Sequence, residues 1–197
     1  MEQERRRFIA NLTRILGSGA ALITINATHV SAALAYQRSL NSSLRAGALL
    51  NLEQMQILHD VCQTIIPKTD TPGAADLDCH GFIDHQLSVV HTAAQQRAVI
   101  AVLRSIHTIS NAQFKLSFTG LNDTQKQQCL ENIERGKWGD TKLIENFKFL
   151  KSLTAFGYFT SEIGATKVLN YQPVPGGYRG SIPFTNETRN YGSHARY

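Results

Sequence analysis

The strongest constraint on the fold is an apolar repeat at three- and four-residue steps in the segment that follows Asn51. The repeat comprises Leu52, Met55, Leu58, Cys62 and Ile65. This spacing places the side chains on one face of an α-helix. Asn51 can cap the helix together with Gln54 three residues later, and Pro67 ends it. The sequence therefore predicts an amphipathic helix that buries this face against the rest of the chain.

Helical repeats continue through the chain as far as residue 170. We predict further helices over about 78–91, over 92–117, from Asn122 to Gly136, and from Asp140 onward. Their inward positions are predicted to be Phe82, Leu87, Val90, Val99, Val102, Leu103, Ile106, Cys129, Leu130, Ile133, Leu143, Ile144, Phe147, Leu150, Leu153 and Phe156. Alternation with period two, which is typical of strands, is almost absent. We therefore predict a mainly α fold, with a small helical domain over 51–170 that follows a polar, Ser-rich linker over 36–50.

The C-terminal residues 171–197 have a different composition, rich in proline, glycine and aromatic residues. The prolines and glycines of this segment exclude a regular helix, so we predict an extended arm. Tyr171, Tyr178, Phe184 and Tyr191 could anchor it on a surface, as aromatic residues do at protein interfaces. The arm could lie on the surface of a partner subunit, or it could pack back on the helices of its own chain.

The first 35 residues have the layout of an export signal. Three consecutive arginines at positions 5–7 precede a weakly apolar stretch over 15–25, and small residues at 31–35 suit a signal peptidase. The start resembles a twin-arginine (Tat) signal, in which Arg5 and Arg6 form the pair, Phe8 is the aromatic and Ile9 the aliphatic residue. The alternative is an amphipathic N-terminal helix with a basic start. Tat moves folded proteins, so such a chain carries a cofactor itself or travels bound to a partner that does.

The charge and the missing motifs exclude several classes of ligand for this chain. The formal net charge is +5, but no dense basic stripe of the kind that binds nucleic acid is present. The sequence has no Gly-rich phosphate loop, no nucleophile elbow and no C-x-x-C pair, and its 3 cysteines cannot supply four thiolates to an iron–sulfur cluster. We therefore predict that this chain binds no cofactor, has no catalytic residue and has no nucleic-acid partner.

Four titratable residues near one another raise the question of a metal site: His80, Asp84, His85 and His91. Spacing of four puts His80 and Asp84 on one helix face. The Glu-x-x-His pairs of di-iron bundles and the H-E-x-x-H motif are both missing. We therefore interpret these residues as a solvated helix face and predict no metal. Nothing in the sequence marks a Ser–His–Asp arrangement.

Cysteine positions allow one disulfide if the chain is exported, because the periplasm is oxidising. A Cys62–Cys79 bridge would close a loop of about 17 residues and stabilise the fold by about 3 kcal/mol. Cys129 would then remain for a partner chain. The alternative is three buried thiols.

The chain resembles the gluconate 2-dehydrogenase subunit 3 family, the small subunits of membrane-bound flavoprotein dehydrogenases. The resemblance covers about residues 50–185. Its matching stretches are 62–67 (CQTIIP), 69–74 (TDTPGA), 81–84 (GFID), 149–154 (FLKSLT), 157–165 (GYFTSEIGA) and 171–176 (YQPVPG). The string over 157–165 is the most specific of these.

This resemblance implies a non-catalytic subunit with a large partner. The partner would be a dehydrogenase of the glucose–methanol–choline type that carries FAD and oxidises a sugar or sugar acid. A c-type cytochrome subunit, which carries haem c, often takes the electrons onward. The small subunit would bear the Tat signal for both chains, engage the Tat translocase, and stabilise the flavoprotein in a periplasmic, membrane-associated complex.

Candidate contacts with that partner are Tyr158, Phe159, Ile163 and the arm from Tyr171 through Tyr178 to Phe184, with Trp138 as a weaker one. For Tyr158 and Phe159 the alternative is core packing at the end of the last helix. Two other functions stay open: a transient export chaperone that releases the flavoprotein, and a free-standing periplasmic enzyme that uses a metal in the His80–His91 region.

Overall fold

A computed structural model describes residues 36–39 and 41–169 of the chain. The residues predicted to form the export signal lie outside the described residues: Arg5, Arg6, Phe8 and Ile9. The residues of the predicted arm, Tyr171, Tyr178 and Phe184, lie outside them as well. From Arg38 onward, the described residues belong to one compact unit.

Five α-helices build this unit: α1 Leu52–Ile65, α2 Cys79–Val89, α3 Ala93–Phe114, α4 Asp123–Glu134 and α5 Thr141–Thr160. A 3₁₀ turn, Ser42–Leu44, precedes α1, a second one, Phe118–Gly120, precedes α4, and a π-helical turn, Gly164–Val168, follows α5. The described residues contain no strand. The predicted mainly α fold is confirmed.

The helix starts follow the predicted capping chemistry. Asn51 Oδ1 accepts a hydrogen bond from Gln54 N at 2.9 Å, and Gln54 Oε1 accepts one from Asn51 N at 3.0 Å. Asn122 and Gln125 form the same reciprocal pair at the start of α4. A third capping box, Thr92 with Gln95, separates α2 from α3. Each box satisfies backbone N–H groups that have no partner inside the helix, which fixes where the helix begins.

Helix α1 is the centre of the bundle and contacts each of the other four helices. Its buried face differs slightly from the predicted one: Met55, Leu58 and Cys62 are buried, whereas Leu52 in the first turn is exposed. The predicted inward residues of α3 and α4 are all buried. Two predictions are wrong, because Val90 lies beyond the end of α2 and Phe156 lies on the outer face of α5; both are exposed.

The segment 41–50, hereafter the strap, was predicted to be part of a linker, but it packs on the helical body. Leu50 is buried in the core, and Ser42, the first residue of the 3₁₀ turn, is buried as well. Asp84 on α2 accepts hydrogen bonds from the backbone N–H groups of Ala48 at 2.6 Å, Leu49 at 3.1 Å and Leu50 at 2.8 Å. The Ser-rich composition indicated a solvent-exposed segment, but carboxylates of the helical body, Asp78 and Asp84, accept hydrogen bonds from polar groups of the strap.

None of the helices in the described part of the chain is both long and apolar enough to cross a membrane.

Candidate functional site

A buried polar cluster joins the strap to the start of α2. Ser42 Oγ donates to Asp78 Oδ1 and lies 2.7 Å from His80 Nε2. Asp78 Oδ2 accepts the backbone N–H of Ser39 at 2.7 Å. His80 is only 3% exposed, and Asp84 is buried as well. The interpretation of His80 and Asp84 as a solvated helix face is therefore wrong.

The backbone around Asp78 explains this arrangement. Asp78 precedes α2 with φ 59°, in the left-handed region, and its side chain makes no cap hydrogen bond to the helix. The carboxylate turns instead toward Ser39 and Ser42. No sequence signal marked this choice, because an Asp directly before a helix ordinarily caps it.

A second set of charges extends from this cluster toward the surface. The rings of His59 and His80 meet edge to face, with centroids 4.9 Å apart. His59 Nδ1 lies 2.9 Å from Asp60 Oδ1, and Lys126 Nζ donates to Asp60 Oδ2 at 2.8 Å. Burial alone would raise the pKa of Asp60, but the hydrogen bonds from His59 and Lys126 outweigh it and lower that pKa. This set links α1 to α4.

The geometry of the cluster does not match a catalytic triad. In a triad the histidine uses one nitrogen for the serine and the other for the aspartate. Here His80 Nε2 faces both, at 2.7 Å from Ser42 Oγ and 3.3 Å from Asp78 Oδ1. His80 Nδ1 has no hydrogen-bond partner among the described residues. These contacts suit a structural role, in which Ser42, Asp78 and His80 hold the strap on α2; we call these three residues the clasp.

A metal reading of the same region has no support in the described ranges. Within residues 36–39 and 41–169, no three His, Cys, Asp or Glu side chains come together as metal ligands. His85 and His91 are only partly buried, and His91 packs its ring against Phe149 with centroids 5.5 Å apart.

Burial of His80 makes the stability of the clasp depend on pH. Desolvation lowers the pKa of His80 from 6.5 to about 4, with His59 adding to this and Asp78 and Asp60 opposing it. Between these values the unfolded chain binds more protons, so the free energy of unfolding falls as the pH drops. We expect His80 to contribute a loss of about 2 kcal/mol from pH 7 to pH 5.

Urea unfolding of the full chain at both pH values measures this loss. A His80→Asn variant should show a smaller pH dependence of the free energy of unfolding than the wild type. An unchanged slope in His80→Asn would contradict the assignment.

All three cysteines are buried free thiols in the structure. Burial raises the pKa of the Cys62 thiol and raises the pKa of the Cys79 thiol to about 12. The nearby Asp78 carboxylate raises both pKa values further. Cys62 Sγ lies 3.7 Å from Thr154 Oγ1. The structure thus has three thiols, which is the alternative to the possible Cys62–Cys79 bridge, and the pairing in the exported protein stays a prediction.

Thiol titration distinguishes these states in the protein itself. The thiolate is the reactive form, so buried cysteines with raised pKa values react slowly. We expect no modification of the native protein by a thiol reagent at neutral pH, and modification of all 3 cysteines after unfolding without reductant. Recovery of a single reactive thiol after unfolding would instead show one bridge, and identification of that thiol as Cys129 would assign the bridge to Cys62 and Cys79.

The predicted contact residues fall in different environments. Tyr158 is 2% exposed, and its hydroxyl donates to the Pro72 carbonyl at 2.9 Å, so it belongs to the core. Ile163 is partly buried against the core, and Trp138 is partly buried with its ring 5.9 Å from that of Phe114. Phe159 is 40% exposed. Of these four, Phe159 alone presents a large exposed side chain.

The string over 157–165 packs the end of α5 closely against α2 and the loop before it. A Cβ at Gly157 would lie 2.7 Å from Phe82 Cδ1 on α2, and a Cβ at Gly164 would collide with the Tyr158 carbonyl. Ser161 Oγ accepts the Gly164 N–H at 3.0 Å, which starts the π-helical turn. The glycines and Tyr158 of this string therefore have packing roles, and its exposed aromatic residue is Phe159.

A scan against protein families gives a match to gluconate 2-dehydrogenase subunit 3 over residues 52–176. No curated protein and no solved structure matches the chain. The matched range begins at the first residue of α1 and includes all five helices. Because it covers more than half of the 197 residues, the chain belongs to the gluconate 2-dehydrogenase subunit 3 family.

Proposed function

We propose that this chain is the non-catalytic small subunit of a periplasmic, membrane-associated flavoprotein dehydrogenase that oxidises a sugar or sugar acid. The large subunit would be of the glucose–methanol–choline type and hold FAD, and a c-type cytochrome with haem c would accept its electrons. The observation that carries the proposal is the family match over residues 52–176, since it makes the chain a subunit of a dehydrogenase complex.

The proposed export role begins with the N-terminal sequence. FAD is loaded in the cytoplasm, so a flavoprotein without its own signal can cross the membrane folded only when it is bound to a partner with a Tat signal. Arg5, Arg6, Phe8 and Ile9 would supply that signal to the Tat translocase.

The fold of the described residues is compatible with folded export. Asp78 and Asp84 hold the strap, whose residues begin shortly after the proposed signal, through Ser42 and Ala48. Leu50, the last residue of the strap, is part of the core. The body that would travel folded therefore begins within a few residues of the proposed signal.

Capture of the tagged full chain from the periplasm tests the proposal. Co-expression with the large flavoprotein should give one eluting species in size exclusion that contains both chains and the absorbance of flavin. A flavoprotein that elutes apart from this chain would favour a transient export chaperone. A chain that elutes alone with a stoichiometric metal, lost in a His80→Ala/His85→Ala variant, would favour a free-standing enzyme.

A further inference from the structure

Helix α5 presents large aromatic side chains to solvent instead of burying them. Phe156 is 56% exposed and Phe159 is 40% exposed. On the neighbouring helix α2, the ring of Phe82 lies 5.9 Å from that of Phe156. Exposed aromatic surface costs stability in a free chain, so its concentration at one place indicates a surface that is covered in use.

The apolar surface continues toward the start of α5. Phe149 lies seven residues before Phe156, about two helical turns or 10 Å away on the same side of the helix. Its ring meets that of His91, which follows the exposed Val89 and Val90 at the end of α2. We call the set of Phe82, Val90, Phe149, Phe156 and Phe159 the aromatic ridge; Phe82 and Phe149 are half-buried against the core, and the other three are exposed. Within the described part of the chain, the exposed large apolar residues outside the ridge are Val89, next to it at the end of α2, and Leu44, Leu52 and Leu116, which lie outside α2 and α5.

The aromatic ridge suits the centre of a lasting interface. It runs along residues 149–159 of α5, which is about 15 Å of the helix. A standard stable interface covers about 800 Å² per subunit, so the ridge would be the apolar centre of a larger contact. Aromatic residues near the centre of such an interface carry most of its binding energy.

Charges beside the ridge indicate the chemistry of the partner. Lys142 and Lys148 are exposed on α5 and make no ion pair with any described residue, and neither does Glu145 between them. Lys151, in contrast, is paired with Glu134 at 2.7 Å. From residue 36 onward the chain has 16 Lys+Arg against 13 Asp+Glu, a net charge of +3, so that together with these two lysines it attracts an acidic partner.

We propose that the aromatic ridge seats the flavoprotein subunit through an apolar surface that is rimmed by carboxylates. This inference rests on the proposed function, since it names the face by which this chain holds its partner. The aromatic side chains anchor the partner, and the two lysines meet its carboxylates at the edge.

Single substitutions on the ridge test the inference with a matched control. Phe156→Asp and Phe159→Asp each place a charge on the ridge, whereas Leu116→Asp places one at a side chain that is 48% exposed in the loop after α3. Phe156→Ala removes the same ring without adding a charge beside Phe82. Circular dichroism melting confirms that each variant is folded before binding is measured.

We expect the wild type and Leu116→Asp to capture the FAD-loaded subunit equally, and each ridge variant to bind it about 30-fold more weakly, the effect of removing one hot-spot side chain. Wild-type binding by folded ridge variants would overturn the inference and leave the proposed function standing. Failure of the wild type to bind would instead overturn the proposed function. A homodimer of the wild type that the ridge substitutions dissociate would assign the ridge to a second copy and also overturn the inference.

Discussion

Replacing Asp84 with alanine is expected to lower the free energy of unfolding by about 3–5 kcal/mol, a large part of what a domain of this size has. The carboxylate accepts three backbone N–H groups of the strap, from Ala48, Leu49 and Leu50. Without it, these donors lose their partner, and each buried one left unsatisfied costs about 1–3 kcal/mol. Leu50, which the strap carries into the core, would be held less firmly.

Urea unfolding of the full-length protein measures this cost. Asp70→Ala, in an exposed loop, removes the same group without touching the strap and should change the free energy of unfolding by less than about 0.5 kcal/mol. Gly47→Ala should also destabilise, because its Cβ would collide with the Asp84 carboxylate. If Asp84→Ala behaved like Asp70→Ala, the strap would not depend on this carboxylate.

Replacing Arg5 and Arg6 with lysine is expected to remove both this chain and the flavoprotein from the periplasm. The change keeps both positive charges, so it tests the planar guanidinium groups with their fixed donors, which an ammonium does not reproduce. Arg7→Lys is the matched control, because position 7 is the variable residue of the twin-arginine pattern. We expect this control to export both chains normally.

Immunoblots of periplasmic and cytoplasmic fractions, together with flavin fluorescence of each fraction, measure the outcome. The double variant should leave the flavoprotein, with its FAD, in the cytoplasm. Full export of the flavoprotein beside the Arg5→Lys/Arg6→Lys chain would refute the escort role, although it would leave the subunit role untouched.

Local chemistry in the sequence was enough to place the helices. Asn51 with Gln54 and Asn122 with Gln125 form the capping boxes that the sequence predicts. Apolar periodicity identified the buried faces of α3 and α4. These features depend on residues three or four positions apart, so they can be read without knowledge of the tertiary structure.

Contacts between distant residues explain what the sequence did not predict. The strap is held by Asp78 and Asp84, more than 30 positions away from their partners Ser42 and Leu50, and no local pattern reports such a pair. Phe156 fits the apolar repeat of α5, yet it lies on the outer side, because periodicity does not tell a core face from one that a partner covers. Tyr158, in contrast, was a candidate partner contact but lies in the core, where its hydroxyl donates a hydrogen bond to the Pro72 carbonyl.

If this chain holds a flavoprotein and carries out no turnover itself, activity should separate from it when the two chains are separated. Sugar-dependent dye reduction is measured for the purified complex and then for each chain alone. We expect all activity to follow the flavin-bearing chain, and this chain, with no flavin absorbance, to have none. Dye reduction by this chain alone would contradict this expectation.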